Sequence, residues 1–126
     1  MTVEIKIAPM NSLLLIMDRE RGEIPDSLGG KLVASTPSCV AIGTLSEVDG
    51  QTSVVLTDEK RCAEDLINLK KVYTGFLATP SREVNVCTVL LQPVMKLAVS
   101  GTKSKIEIWA NSEAEPSKLC VLVIKD

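Results

Sequence analysis

The chain has no histidine. A Ser-His-Asp triad, a Cys-His pair and His-ligated zinc therefore cannot be built from it, and the commonest general base near neutral pH is missing. Any catalysis would have to run on Asp, Glu, Lys, Cys, Tyr or a bound cofactor. This tilts the reading away from an enzyme without removing one.

The four cysteines, Cys39, Cys62, Cys87 and Cys120, are widely spaced and form no C-x-x-C pair, so neither a zinc knuckle nor a thioredoxin-type motif is expected. Cys87 in Val86-Cys87-Thr88-Val89 and Cys120 in Leu119-Cys120-Val121-Leu122 read as small buried hydrophobes. Cys62 differs, because it falls near the start of an expected helix beside Lys60 and Arg61. A helix N-terminus and nearby cations stabilise a thiolate, which makes Cys62 a candidate reactive thiol. Its i, i+4, i+7 relation to Leu66 and Leu69 favours the simpler role of first apolar contact between helix and sheet.

Carboxylates gather in three stretches: Asp18, Glu20 and Glu23; Glu47 and Asp49; Glu113 and Glu115. Calcium sites and glycosidases both use such groups. There is no EF-hand spacing here, and with one Trp, one Tyr and one Phe little is available to stack on sugar rings. The expectation is solvated loops and no metal site. Gly29-Gly30-Lys31 lacks the spacing and the following Ser or Thr of a phosphate loop, so it reads as a turn. No cofactor is implied.

Trp109 stands out. In Ser104 to Ala110, Ile106, Ile108 and Ala110 alternate against Lys105, Glu107 and Trp109. A large aromatic on the polar side of a strand is either covered by another element or offered to a partner. The acidic stretch from Asn111 to Glu115 follows at once. Trp109, Glu113 and Glu115 are therefore the expected partner-binding residues, an aromatic anchor with an acidic rim.

The elements that must position these residues are mostly strands. Val3, Ile5 and Ile7 alternate with Glu4 and Lys6, the period of a half-buried strand. Ser12 to Met17 and Lys118 to Lys125 are apolar on both faces and should be interior. Further strands are expected at 31–35, 39–45, 52–57, 72–79, 83–91, 94–99 and 104–110. Asp18 to Glu23 reads as a solvated charged loop. Asp49-Gly50 suits a type I′ hairpin joining strands 39–45 and 52–57. Over 58–71 the period changes to that of one amphipathic helix, with Asp58 and Glu59 at its start and Lys70 and Lys71 at its end, matching the helix dipole.

The expected fold is all-β: an antiparallel β-sandwich of about nine to ten strands with one amphipathic helix at about residues 58–71, forming a single domain over 1–126. The formal charge of -2, from 14 Lys+Arg and 16 Asp+Glu, speaks against a basic nucleic-acid surface. The longest early apolar run, Leu13 to Met17, is far short of a membrane span. The first seven residues read as a strand and not as an export signal, so a cytoplasmic protein with reduced thiols is expected.

The functional expectation is a non-catalytic protein-interaction module, with a small cytosolic inhibitor or immunity-type protein fitting the size and acidity. Its partner would be another protein or a second copy, with no nucleic acid and no membrane. One alternative is a small-molecule-binding protein or an enzyme using carboxylates or a bound cofactor. Another is a homo-oligomeric structural protein that associates through a sheet edge or the Trp109 face.

Overall fold

The structure is a computed structural model that describes residues 1–60 and 69–124. Among the described residues there are ten strands: β1 (Thr2–Ile7), β2 (Leu13–Met17), β3 (Val33–Thr36), β4 (Cys39–Gly43), β5 (Thr52–Thr57), β6 (Lys70–Ala78), β7 (Glu83–Cys87), β8 (Pro93–Ala98), β9 (Lys103–Ala110) and β10 (Lys118–Ile124). They form two five-stranded sheets, β1-β5-β10-β9-β6 (sheet A) and β3-β4-β2-β7-β8 (sheet B). The β-sandwich reading holds. Every pairing is antiparallel except that of β5 with β10, which run parallel.

Alternation decides what each strand buries. On β9 the residues Ser104, Ile106, Ile108 and Ala110 are buried while Lys103 and Lys105 are exposed. The inward rows of both sheets meet in one core, with Leu14, Ile16, Val40, Ile42, Val84, Val86, Met95 and Leu97 from sheet B facing Val54, Leu56, Ile106, Ile108, Leu119, Val121 and Val123 from sheet A. Val3, Ile5 and Ile7 of the edge strand β1 are partly buried against it. Short branched chains fill a pleated interface well, so three aromatic residues suffice.

The two strands expected to be interior, β2 and β10, are the central strands of their sheets. Their second apolar face makes the outer side of each sheet partly hydrophobic. On sheet B, Leu15, Met17, Cys39, Ala41 and Cys87 form a cluster packed by Ile24, Leu28 and Leu91. On sheet A, Val55, Cys120 and Leu122 form another, packed by Leu69, Trp109 and Ile124.

Several local expectations are corrected. The Asp49-Gly50 hairpin does not exist, because β4 and β5 lie in different sheets. Residues 44–51 cross between the layers instead, with a turn closed by the Asp49 amide donating to the Ser46 carbonyl at 2.9 Å. The strand expected over 83–91 stops at Cys87, and Thr88 to Gln92 turn the chain into β8, the Thr88 amide donating to the Gln92 carbonyl at 3.0 Å. The amphipathic helix expected over 58–71 falls mainly on residues 61–68, which lie outside the described residues. Its expected C-terminal end is strand: Lys70 and Lys71 open β6 and pair with Ala110 and Trp109.

Asp18 is the other correction. It belongs to the stretch read as a solvated loop, yet only 3% of it is exposed. Its Oδ2 accepts from the Glu20 amide at 2.9 Å, and its Oδ1 accepts from the amides of Ser81 at 3.0 Å and Glu83 at 3.4 Å. A carboxylate that takes backbone N–H groups from the start of another strand is a clip, because those donors would otherwise be left partly unsatisfied. The turn it holds, Thr79 to Arg82, closes through the Arg82 amide donating to the Thr79 carbonyl at 2.8 Å.

Candidate protein-interaction face

Strand parity puts Trp109 on the outer face of sheet A. The register there runs Glu4, Val55, Cys120, Trp109, Lys71 across β1, β5, β10, β9 and β6. Glu107, two residues before Trp109, shares the face. The indole Nε1 donates to Glu107 Oε1 at 3.2 Å. Lys71 Nζ lies 3.7 Å from Glu107 Oε2 and 5.9 Å from the centre of the Trp109 ring. Trp109 is thus half-buried, with its apolar body against Cys120 and its neighbours and its polar edge satisfied by Glu107. Such a side chain is pre-set rather than mobile, which lowers the entropy lost when a partner covers it.

The acid at Trp109 is therefore Glu107. Glu113 and Glu115 are exposed on the next loop, residues 111–117. That loop is tightly built. Asn111 Oδ1 accepts from the amides of Ser117 at 3.0 Å and Lys118 at 3.1 Å, and Ser112 Oγ accepts from those of Ala114 at 3.1 Å and Glu115 at 3.2 Å. Glu113 lines a hollow with Lys70, Asn111 and Ser112.

The structure adds a second loop to this end of the sandwich. The Leu45 amide donates to the Pro116 carbonyl at 2.9 Å, and the Ser53 amide to the Ser117 carbonyl at 2.8 Å. Residues 44–51 and 111–117 are thereby tied side by side. Together they carry Glu47, Asp49, Glu113 and Glu115 and no lysine or arginine. Lys70 and Lys118 flank them. Val48 stands 87% exposed between the first two acids. Sequence reasoning placed Glu107 on the Trp109 face by parity but missed Lys71, whose two-residue period was hidden by an apparent helix end. It also missed the loop pairing, which rests on a backbone bond between residues far apart in the chain and has no local signal.

The buried thiols behave as expected of core residues. Burial, and secondarily Cys87, pushes the Cys39 thiol from its ordinary 9.0 up to about 11. Burial likewise raises Cys87. Both are removed from the thiolate chemistry of reactive cysteines, and Cys120 is fully buried. Cys62 lies outside the described residues. Among the described residues no group of three His, Cys, Asp or Glu is placed to hold a metal ion, and no helix is long and apolar enough to cross a membrane.

Two facing five-stranded sheets define a small β-sandwich. A similar fold is found in the crystal structure of ComJ, inhibitor of the DNA degrading activity of NucA, from Bacillus subtilis; the likeness spans 98% of this chain and 96% of that one, with a TM-score of 0.57 at 9% sequence identity. No family model and no curated protein matches the sequence.

Proposed function

We propose that this chain is a non-catalytic protein-interaction module of the inhibitor kind, and that it works in the cytoplasm by covering a basic surface of a protein partner. One observation carries this reading: the tied loops 44–51 and 111–117 present four carboxylates and the exposed Val48, without a basic residue between them, beside the strand that holds Trp109. Enzymes that act on nucleic acid have positively charged clefts, and an acidic rim around an apolar tip is the complement that speeds docking onto such a cleft and sets its orientation. The end-to-end likeness to a nuclease inhibitor supports the same class of partner. The uncombined, buried thiols of Cys39 and Cys87 suit a reducing compartment.

Trp109, Glu113 and Glu115 are the proposed contact residues, joined by Glu47, Val48 and Asp49. The test is capture from the source lysate, followed by reconstitution of binding with the purified captured protein and a DNA-degradation assay. Trp109→Ala and the double variant Glu113→Lys, Glu115→Lys should each weaken binding by about tenfold or more, equal to roughly 1.4 kcal/mol, with far-UV circular dichroism unchanged. Failure to recover any protein partner would overturn the proposal. Concentration-dependent self-association abolished by Trp109→Ala would replace it with the homo-oligomer reading.

A further inference from the structure

The terminal strands of the two sheets are β1 and β6 in sheet A and β3 and β8 in sheet B. An open edge shows unpaired backbone groups and invites another strand, so proteins guard it with charge, proline or brevity. Three of these edges are guarded: β1 carries Glu4 and Lys6, β8 carries Pro93 and Lys96, and β3 has only four residues. β6 is the exception. At nine residues it is the longest strand among the described residues, and its run from Val72 to Ala78 holds neither a charge nor a proline. Two of the three aromatic residues of the chain stand in it, Tyr73 and Phe76, and Phe76 is 57% exposed.

The end of β6 fixes its hydrogen-bond phase. The Thr79 amide donates to the Thr102 carbonyl, on the β9 side, whereas the Ala78 amide points the other way and donates to the Pro37 carbonyl, both at 2.8 Å. Along an antiparallel ladder these directions alternate. Leu77, Gly75 and Tyr73 therefore bond to their partners Ser104, Ile106 and Ile108 on β9. Phe76 and Thr74 turn their N–H and C=O groups away from β9. Among the described residues no strand pairs with that side of β6. Pro37 caps it at Ala78, and a bulge between Lys71 and Tyr73 interrupts the phase at the other end. The free edge is thus short and bounded, running from Thr74 to Phe76 with Gly75 at its centre.

We propose that this edge pairs with the same edge of a second copy of the chain, antiparallel and centred on Gly75. In that register Thr74 of each copy opposes Phe76 of the other, and each pair exchanges both N–H···O bonds. A shift in one direction sets Phe76 against the bulged residue Val72. A shift in the other sets Thr74 against Ala78, whose amide is already taken. The two Gly75 residues meet at the close spacing of ~4.5 Å, as a strand glycine permits; the same glycine leaves room for the Tyr73 hydroxyl, which occupies the place a Cβ would take. Charge agrees with the register. Lys105 stands beside Phe76 and Glu107 beside Thr74, so each row across the joined sheet runs from Lys105 of one copy to Glu107 of the other, with no like charges opposed. The twofold relation closes the assembly at two copies. Because the strands run in opposite directions, the two acidic loop ends point away from each other and stay open, so the pairing is independent of the inhibitor reading.

The test is sedimentation equilibrium of the purified chain, combined with amide hydrogen exchange read by NMR at high and low protein concentration. The expected result is a monomer–dimer equilibrium with a dissociation constant below about 1 mM. Exchange should slow in the dimer at Thr74 and Phe76 and stay unchanged at Tyr73, Gly75 and Leu77, which are bonded to β9 in both states. Thr74→Pro removes an N–H that β9 does not use, and Phe76→Lys adds the kind of charge that guards the other edges. Each should weaken pairing by about tenfold or more. Trp109→Ala should leave it unchanged, which separates this pairing from association through the Trp109 face. A chain that stays monomeric up to about 1 mM would overturn the proposal. So would a dimer dissolved by Trp109→Ala, a dimer whose Thr74 and Phe76 amides exchange as fast as in the monomer, or a folded Phe76→Lys variant that pairs as tightly as the parent.

Discussion

Replacing Asp18 by alanine removes the acceptor for three backbone amides at once. Two of these bonds are well formed, at 2.9 and 3.0 Å, and the third is long at 3.4 Å. Hydrogen bonds to a charged acceptor contribute about 1.5–3 kcal/mol each. Discounting the long bond, and allowing water to reach part of the freed turn, the loss is about 3–5 kcal/mol. That is a large share of the ~5–15 kcal/mol that holds a domain together. Asp18→Asn separates the causes. Its remaining carbonyl can still accept from Ser81, but the amide that replaces Oδ2 cannot accept from Glu20, so a loss of about 1–2 kcal/mol is expected. Urea unfolding reads both, since a slope of ~1–3 kcal/mol per molar converts the alanine loss to a midpoint shift of about 2 M. Hydrogen exchange at Ser81 and Glu83 reads the clip itself. The reasoning is refuted if alanine shifts the midpoint by less than about 0.5 M, or if alanine and asparagine behave alike.

Further expectations follow from other parts of the molecule. Cys39 holds its proton up to about 11 in the native state against 9.0 for an unperturbed thiol. Its contribution to stability is therefore complete below pH 9.0 and is lost as pH rises through about 11; Cys39→Ala should flatten that fall in urea midpoints. Ile108 is fully buried between the sheets, so Ile108→Ala should cost about 2–5 kcal/mol by the same measurement. Lys71 is 45% exposed in its pair with Glu107, so Lys71→Ala should change stability by less than about 1 kcal/mol. Trp109→Phe should keep the fold and lose only the bond to Glu107, which near-ultraviolet spectra and unfolding together would show.

Much of this architecture was legible because it is written in a two-residue period. Ile106, Ile108 and Ala110 against Lys105, Glu107 and Trp109 fixed the two faces of β9, and those faces stand as read. The doubly apolar runs at Leu13 to Met17 and Leu119 to Val123 marked the central strands, because only a strand covered on both sides can be apolar on both. What stayed hidden depends on residues distant in the chain. Asp49-Gly50 has the chemistry of a hairpin turn, but local chemistry cannot say that the flanking strands belong to different layers. Asp18 looks like any loop carboxylate, since its partners are 63 and 65 residues away. The candidate face was half legible for the same reason: parity places Trp109 and Glu107 together, whereas the neighbouring loops meet only through the Leu45–Pro116 bond.

The parallel pairing of β5 with β10 has a kinetic consequence. The strand at 118–124 is not added to the rim of sheet A but inserted between β5 and β9. Until it arrives, the sheet exists as two fragments, β1-β5 and β9-β6, each showing an unpaired backbone edge where β10 will dock. During synthesis the edge of β5 therefore stays unpaired from residue 57 until Lys118 to Ile124 have been made and thread into place, a long-range step, whereas the edge of β9 waits only from residue 110. Truncation before Lys118 should thus leave a species that aggregates rather than a smaller folded protein, and slow refolding should be confined to the docking of that final strand.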